Sequence, residues 1–245
     1  MSMKNRELPF IRAMFDHIAP YYDLLNRLLS LRQDVRWRKK MVAAVTVPEG
    51  GRVLDVACGT GDVILEMIRQ KGFGIHVVGL DFSPNMLAIA RKKIRSAGSA
   101  GVLVAADALA LPIAPASVHA ITMAFGIRNI QNKANVLKAF YNCLKPGGRL
   151  VVLELSTPSP PVLRELYMAY FQKVLPAVGR LFSKHSYAYT YLPESVTRFP
   201  PAGRFMDMMR AAGFSQVSCQ SLTLGIARLF VGEKDIQESL KERRK

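Results

Sequence analysis

The chain has 245 residues, half of them hydrophobic, which is enough to bury the core of one enzyme-sized domain. Lys and Arg number 34 against 18 Asp and Glu, and this surplus predicts an anionic partner, either nucleic acid or a phospholipid surface. Three widely spaced cysteines without a C-x-x-C pair argue against a zinc or dithiol site and are typical of a reducing, cytoplasmic compartment. Neither a signal peptide nor an uninterrupted membrane-spanning segment is evident.

The N-terminal part, residues 1–48, is predicted to form two or three short helices that cover the domain and are interrupted at Pro20. From Val53 onward, short apolar runs alternate with segments that carry apolar residues at helical spacing. This alternation predicts an α/β fold with a parallel sheet wrapped by helices, built from residues 49–156. The predicted strands are RVLDVA, HVVGLD, GVLVAAD, VHAITMAF and RLVVLEL, and the predicted helices are DVILEMIRQ, SPNMLAIARKKIRSA and KANVLKAFYNCL.

The C-terminal part begins with residues 157–205, a Pro- and Tyr-rich stretch that is too long for an ordinary loop and is expected to cover a substrate. Residues 206–245 then predict one more helix, MDMMRAAGF, which ends at Gly213, two strands, QVSCQSLTL and IARLFVGE, and a charged tail. The two strands would close the sheet as a pair. We therefore expect a single Rossmann-like domain with a seven-stranded, mostly parallel sheet.

A glycine-rich turn, VLDVACGTGD, follows the first predicted strand. Gly59 and Gly61 permit positive φ angles and a close approach of a ligand to the backbone, and the helix that follows offers unpaired N–H groups. The dinucleotide pattern G-x-G-x-x-G requires a third glycine where this chain has Ile64, so NAD is disfavoured. Asp62, at the start of that helix, would suit a ligand that carries an ammonium group.

Aspartates end the second and third predicted strands. Asp81 is well placed to accept hydrogen bonds from both hydroxyls of a ribose, although a helix N-cap is the simpler alternative and Ser83 is better placed for that task. Asp107, together with the backbone N–H of the next residue, would recognise the edge of an adenine. Because the carboxyl ends of parallel strands meet at one edge of the sheet, these groups are expected to converge with the glycine turn.

The stretch TMAFGIRNI ends the fourth predicted strand and places Arg128 and Asn129 directly after an apolar run. The simple interpretation is that the strand ends in a polar loop. The alternative is that the guanidinium acts on a ligand at the same sheet edge.

Several motifs together resemble the class I methyltransferases that use S-adenosylmethionine: D-x-A-C-G-T-G-D, LDFSPNML, ADALALP and LKPGG before a strand. More closely, the chain resembles the UbiE/MenG family, the C-methyltransferases of ubiquinone and menaquinone biosynthesis, from about Phe15 to Gly232. The segments that carry this resemblance are YYDLLNRLLSLRQDVRW, FGIRNI, LKPGGRLVVLELS and SYAYTYLPESVTRFP.

The resemblance implies specific roles for site residues, with no metal ion. Arg128 would stabilise the phenolate form of a quinol, which pushes charge onto the ring carbon that accepts the methyl group, with Asn129 as a hydrogen-bonding partner. The implied S-adenosylmethionine-binding residues are Gly59, Thr60, Gly61, Asp81, Asp107 and Ala108, and the implied substrate-binding residues are Tyr22, Tyr191 and Arg198.

Three positions depart from the family pattern. Ala124 replaces the usual serine before Phe-Gly, which would remove a hydrogen bond to the cofactor. Asp34 replaces the usual histidine three residues before the tryptophan, and Pro201-Ala202 replace the usual Asp-Gln after R-x-x-P. We therefore expect a substrate pocket of altered shape.

Three functions are compatible with these patterns. The first is methylation of a prenylated benzoquinol or naphthoquinol, with the menaquinone precursor preferred. The second keeps S-adenosylmethionine but methylates another small molecule or RNA, and the third is a non-catalytic membrane-associated scaffold. For the first function, the expected partners are the quinol and an anionic membrane surface at the inner face of the membrane, without nucleic acid. A monomer and a homodimer are both compatible with the sequence. Basic clusters at residues 36–40 and 241–245 would serve the membrane contact, although each could simply be solvated.

Overall fold

The computed structural model describes residues 4–72, 74–99, 101–158, 160–170 and 187–236, and its central feature is a seven-stranded sheet with the order β3-β2-β1-β4-β5-β7-β6. The first five strands are mutually parallel, and β7 is antiparallel to both of its neighbours. The predicted mostly parallel sheet with a closing strand pair is therefore confirmed. The strands are β1 (Arg52–Val56), β2 (His76–Asp81), β3 (Val102–Ala105), β4 (Val118–Ala124), β5 (Leu144–Leu155), β6 (Ser215–Leu222) and β7 (Ala227–Glu233).

Helices connect the strands where the periodicity predicted them. Ser83 caps α5: its Oγ accepts a hydrogen bond from the N–H of Met86 at 3.1 Å, and Pro84 is the first helical residue. The last connecting helix, α9 (Ala202–Ala211), begins at Ala202 rather than at the predicted Met206, because Phe205 belongs to the same buried face as Met209. The connecting helices are α4 (Asp62–Lys71), α5 (Pro84–Ser96), α6 (Lys133–Cys143) and α9 (Ala202–Ala211).

Two further groups of helices lie outside this repeat. The N-terminal group comprises α1 (Lys4–Ile18), a 3₁₀ turn (Ala19–Tyr21), α2 (Tyr22–Leu29) and α3 (Gln33–Ala43). The insertion after β5 contributes α7 (Pro161–Ala169) and α8 (Tyr187–Arg198). The middle of the insertion and the charged tail lie outside the described residues. Within the described ranges, every helix is too short or too polar to cross a bilayer.

The core occupies both faces of the sheet because successive residues of a buried strand point to opposite sides. On β5, Leu150 and Val152 pack with Phe140 of α6, whereas Val151 and Leu153 pack on the other face with α3 and α4. All five side chains are fully buried. Burying each contributes about 1.5–3 kcal/mol, so both helical layers are held firmly against the sheet that carries the candidate site.

A carboxyl group lies inside this core. Asp55 on β1 is 1% exposed, and its Oδ1 accepts a hydrogen bond from Thr122 Oγ1 of β4 at 2.7 Å. Its Oδ2 has no hydrogen-bond partner in the part of the chain that the structure describes. Burial raises the pKa of Asp55 to about 7, and the nearby Asp81 adds to the shift while the Thr122 hydroxyl opposes it.

The substitution Asp55→Asn should therefore have a pH-dependent effect on stability. In wild type the folded chain binds the Asp55 proton more tightly than the unfolded chain, so the stability that this proton contributes is lost as the pH rises from about 4 to about 7. At about 1.4 kcal/mol per pKa unit, the free energy of unfolding of the variant should gain roughly 3 kcal/mol on wild type between about pH 5 and pH 8. Urea unfolding at both pH values measures this difference, and a constant difference would contradict the raised pKa.

Candidate active site

The site lies where the strand order reverses between β1 and β4, at the carboxyl ends of the parallel strands. The turn after β1 contains Gly59, β2 ends at Asp81, Asp107 follows β3, and a 3₁₀ turn (Ile127–Asn129) follows β4. The structure brings these residues together: Gly59, Asp81, Asp107 and Asn129 line one cavity of about 590 Å³, here called the cofactor cavity. Ala108, Phe82, Met86 and Leu109 also line it.

The two glycines of the turn are needed for different structural reasons. Gly59 has a φ of +53° and its missing Cβ would meet no atom within 4 Å, so the backbone is open to a ligand. Gly61 has a φ of +83°, and a Cβ there would lie 3.2 Å from Ala90 Cβ, so this glycine allows α5 to pack closely. Thr60 is buried, and its Oγ1 donates a hydrogen bond to Asp23 Oδ1 at 2.6 Å. The cofactor-binding roles of Thr60 and Gly61 stay predictions, since neither residue is in the cavity lining.

The carboxylate of Asp81 is held in place by backbone donors. Its Oδ2 accepts from the N–H of Gly59 at 2.8 Å, and its Oδ1 accepts from the N–H of Ser83 at 2.9 Å. Burial raises the pKa of Asp81, and these N–H groups oppose that shift. No basic side chain of the described residues forms an ion pair with it. The remaining lone pairs of this carboxylate therefore suit neutral donors such as ribose hydroxyls.

Asp62 does not line the cofactor cavity and is already neutralised by the protein. Lys93 Nζ donates to its Oδ1, and Arg27 and Arg38 lie 3.3 Å and 3.6 Å from its Oδ2. Burial alone would raise the pKa of Asp62, but Arg38, Lys93 and Arg27 together hold it below the usual value. The expected ammonium-bearing ligand is thus replaced by three internal cations, which the local sequence does not reveal.

Asp107 fixes the turn after β3 while keeping one oxygen for a ligand. Its Oδ1 accepts a hydrogen bond from the N–H of Leu109 at 2.9 Å. Both Asp107 and Ala108 line the cofactor cavity, which is consistent with their predicted contact with an adenine edge.

A second cavity of about 520 Å³, here called the apolar cavity, lies between the N-terminal helices and the insertion. Its lining is dominated by aliphatic and aromatic side chains, so it suits a flat apolar ring. From the N-terminal helices come Leu25, Leu29 and Trp37, and from α7, α8 and the segment before β7 come Leu163, Tyr167, Tyr191, Leu192 and Ile226.

The two cavities meet at three aromatic residues. Phe15, Tyr22 and Phe125 line both of them. Phe125 has a φ of +59°, an unfavourable angle for a bulky residue, and its N–H donates to Leu153 O at 2.7 Å. In the 3₁₀ turn that follows, Arg128 lines the apolar cavity and Asn129 lines the cofactor cavity. A group transferred between the cavities would therefore pass beside this turn.

Arg128 is held rigidly by a glutamate in β5. Its Nη1 donates to Glu154 Oε1 at 2.8 Å and also to Phe125 O, and its Nε donates to Ser195 Oγ at 3.3 Å. Glu154 is fully buried, and its Oε2 accepts from the backbone N–H of Arg128 at 3.0 Å. Burial alone would lower the pKa of Arg128, but Glu154 holds it above its usual value. None of the described residues accepts a hydrogen bond from Nη2, so its N–H groups are left for a ligand.

Glu154 was missed by the sequence analysis. The signal was present, because a glutamate inside the apolar run RLVVLEL is almost never buried without a charged partner. The sequence did not identify that partner, which lies 26 residues away in the chain.

The predicted substrate-binding residues separate into two groups. Tyr22 lies between the cavities, and burial raises its pKa although Arg38 and Arg128 are near, so its phenol is neutral at physiological pH. Tyr191 donates from its hydroxyl to Asn129 Oδ1 at 3.1 Å and lines the apolar cavity. Arg198, by contrast, is exposed on α8, 3.5 Å from Glu194, and lines neither cavity. Its substrate contact stays a prediction that this arrangement does not favour.

The departures from the family pattern fall in three places. Asp34 is buried in the wall of the apolar cavity and pairs with Arg38 at 2.5 Å, and this guanidinium lies 5.3 Å from the centre of the Phe125 ring. Ala124 lines the cofactor cavity. Pro201 lies outside both cavities and precedes α9 as its N-cap residue.

The strand order, the glycine turn and the aspartate after the second strand define a class I S-adenosylmethionine-dependent methyltransferase. The fold is similar to that of a methyltransferase of this kind from Thermotoga maritima, with a TM-score of 0.63, 20% identity and coverage of 91% of this chain and 99% of that one. Residues 1–234 match the model of the ubiE/COQ5 methyltransferase family, and the chain belongs to that family. S-adenosylmethionine is its cofactor, and the cavity with the Asp81 carboxylate in its wall fits this ligand.

Two relatives show the extent of the similarity. A Thermus thermophilus protein named demethylmenaquinone methyltransferase is 48% identical over 221 residues, which are 90% of this chain and 100% of that protein. A Geobacter sulfurreducens protein named ubiquinone/menaquinone biosynthesis C-methyltransferase UbiE is 44% identical over 229 residues, or 93% and 89% of the two chains.

The substitution Asp81→Ala should weaken cofactor binding at least tenfold, about 1.4 kcal/mol, because the ribose hydroxyls lose a charged acceptor. Isothermal titration with S-adenosylmethionine measures the affinity, and circular dichroism checks the fold. The matched control is Asp207→Ala, which removes an exposed carboxylate that pairs with Arg210. Equal affinities for the two variants would rule out the ribose contact.

The substitutions Arg128→Met and Glu154→Gln should each lower the free energy of unfolding by about 3–5 kcal/mol, because each breaks a buried ion pair. The double variant should lose less than the sum of the two, since no unpaired charge remains. Chemical denaturation measures all three variants. As a control, Glu194→Gln in the exposed pair with Arg198 should cost less than about 1 kcal/mol. Additive losses would mean that the pair is not coupled.

Proposed function

We propose that this enzyme transfers a methyl group to a ring carbon of a prenylated quinol, with demethylmenaquinol as its main substrate. The name of the Thermus relative supports the naphthoquinol, and the name of the Geobacter relative includes both quinones, so a benzoquinol is the second candidate. One observation carries the proposal: an apolar cavity meets the cofactor cavity beside an arginine whose Nη2 donates to none of the described residues.

The chemistry needs an electron-rich ring carbon. S-adenosylmethionine, when bound, supplies an electrophilic methyl group. A hydroquinone becomes a good acceptor when one hydroxyl loses its proton, and the pKa of that hydroxyl should be near that of tyrosine, about 10. Nη2 of Arg128 would donate to the resulting phenolate oxygen and favour the anion.

The Glu154 carboxylate shapes this role of Arg128 in two ways. It leaves the N–H donors of Nη2 available, because it engages Nη1 and the backbone N–H of Arg128 rather than Nη2. It does offset the positive charge, so the stabilisation comes mainly from an oriented hydrogen bond rather than from a net charge. A donor that is already oriented needs little reorganisation when the anion forms. This preorganisation is the condition for effective electrostatic catalysis.

Neighbouring polar groups would orient the ring. Tyr22 is a neutral donor at the junction. Asn129 accepts from Tyr191 through its Oδ1, and none of the described residues accepts from its Nδ2, so this amide can donate to a ligand in the cofactor cavity that it lines. No histidine is among the described residues that line either cavity. Arg128 stays protonated and is a poor base. A water molecule oriented by Arg128 is therefore our proposed acceptor of the quinol proton.

The alternative acceptors, a polar small molecule or RNA, fit the apolar cavity less well. An RNA site needs basic residues interleaved with stacking aromatics along an open groove. The lining here is mostly aliphatic and aromatic. Its charged residues Arg128 and Asp34 are each paired with a side chain of opposite charge, Glu154 and Arg38, so the lining offers no net positive charge for a phosphate. A prenylated quinol resides in a bilayer, so we further propose that the enzyme acts in the cytoplasm at the anionic inner surface of the membrane, consistent with its net charge of +16.

The substrate can be tested with a reporter that the chain already contains. Trp37 is the single tryptophan, and it lines the apolar cavity. Titration with naphthoquinols and benzoquinols of equal tail length should change its fluorescence, and mass spectrometry after addition of S-adenosylmethionine should show a product heavier by one methylene. Methylation of the demethylmenaquinol analogue at a higher kcat/KM is the expected result. Methylation of neither quinol would refute the proposed function.

The role of Arg128 is best tested with the double variant Arg128→Met, Glu154→Gln, which leaves no unpaired buried charge. Its turnover should fall by roughly 10² at pH 7, the scale seen when one preorganised donor is removed. The defect should shrink as the pH rises toward the pKa of the quinol, because hydroxide then supplies the phenolate.

Glu154→Gln alone is the control, since it keeps the guanidinium. Its turnover, measured on the folded fraction, should stay within about tenfold of wild type because the free donors remain. A double variant within threefold of wild type at pH 7, or a defect that does not change with pH, would mean that Arg128 only ends a strand.

A further inference from the structure

The apolar cavity opens to the surface among exposed aliphatic side chains. Leu31 and Leu166 line the cavity and yet are 81% and 64% exposed, so they mark its mouth. Leu224 is 72% exposed and lies between Thr223 and Ile226, which also line the cavity. Three separate elements, the turn after α2, helix α7 and the 3₁₀ turn before β7, thus place a leucine in solvent around one opening.

The apolar surface extends beyond the mouth along two helices. On α2, Leu24 and Leu28 are four residues apart and continue the row that ends at Leu31, while Val162 lies one turn before Leu166 on α7. All of these side chains are exposed. The set Leu24, Leu28, Leu31, Val162, Leu166 and Leu224 is here called the mouth face. Exposed apolar side chains that extend in this way from the mouth of a cavity mark an interaction site.

The backbone holds two of these leucines outward at an energetic cost. Leu31 and Leu224 have φ angles of 50° and 56°, in the left-handed region that disfavours side chains with a Cβ. Arg32 follows Leu31 with a φ of 60°. Strained residues persist where the surrounding fold imposes them, and they cluster at functional positions.

The charge next to the mouth face indicates what covers it. Between residues 31 and 40 the exposed positions are Leu31, Arg32, Arg36, Lys39 and Lys40, so this surface offers one leucine and four basic side chains without an exposed acid. Asp34 and Arg38, in the same stretch, are buried and paired with each other. Glu165 on α7 is exposed as well, and Glu66 lies near Lys39, yet basic side chains remain in surplus beside the mouth face. An apolar patch bordered by such a surplus of Lys and Arg is complementary to anionic lipid, whose headgroups attract the charges while the acyl region accepts the leucines.

We propose that the mouth face inserts into an anionic lipid bilayer, so that the apolar cavity opens directly into the acyl region. This inference rests on the proposed function, because it explains how a quinol ring could enter the cavity while its prenyl tail stays in lipid. A second copy of the chain would be a poorer occupant, since the basic residues beside the face would meet their own like charges.

The test uses the triple variant Leu24→Ser, Leu28→Ser, Val162→Ser, whose three positions line neither cavity. Flotation with vesicles of phosphatidylcholine, alone or mixed with phosphatidylglycerol, measures lipid binding. Wild type should bind the anionic vesicles more tightly, and the triple variant should bind them at least tenfold more weakly. The matched control is Val102→Ser, which removes a 57% exposed valine from β3 at the far edge of the sheet and should bind as wild type does. Added salt should weaken wild-type binding.

A second measurement separates lipid docking from catalysis. The triple variant should methylate a short-tailed quinol in solution at the wild-type rate and a long-tailed quinol in anionic vesicles at least tenfold more slowly. Equal flotation of wild type and triple variant would overturn the proposal. So would a wild-type dimer that the triple variant dissociates while vesicle binding is unchanged, since the leucines would then contact a second copy. If wild type methylates neither quinol, the proposed function fails, whereas the flotation result still decides whether the mouth face binds lipid.

Discussion

The parallel pairing of β1 with both β2 and β4 is the constraint on which the rest of the molecule depends. It brings the carboxyl ends of these strands to one edge and forces the connections to leave in opposite directions, which opens a cleft at that edge. The glycine turn, Asp81 and the turn that carries Arg128 all lie at this cleft, because each is at or directly after the carboxyl end of a strand. The positive φ angles of Ala57 and Phe125, after β1 and β4, show that the backbone is strained on both sides of this cleft.

The buried pair between Arg128 and Glu154 connects this cleft to the apolar cavity. A buried carboxylate near the end of β5 is costly unless it is fully paired, and here its oxygens accept from the Arg128 side chain and backbone and from the N–H of Leu155. The pair therefore fixes the orientation of a guanidinium that would otherwise have several rotamers. Such a rigid donor suits the proposed role of Arg128, because negative charge would develop at one oxygen of the quinol.

The helices that enclose the second cavity are joined to the cofactor side by polar contacts. Asp23 of α2 accepts from Thr60 Oγ1 and lies 2.7 Å from Lys93 Nζ, and Ser83 Oγ donates to Asp16 of α1. The N-terminal helices thus contact the glycine turn and the cap of α5 while their leucines line the apolar cavity. These contacts hold the helices that line the apolar cavity against the glycine turn and α5 on the cofactor side.

The sequence by itself determined the sheet, its connecting helices and the residues at and after the strand ends. The alternation of apolar runs with helical segments, and the glycine or aspartate residues at the ends of the runs, are both local signals. Gly59, Asp81, Asp107 and Asn129 could be placed in one site for that reason. Only the tertiary structure decided which charges are free. Asp62 is neutralised by cations 31 and 35 residues away in the chain, Arg128 is paired with a glutamate of another strand, and Arg198 points to solvent. Partnership of charged side chains depends on packing between distant segments, and no local pattern encodes it.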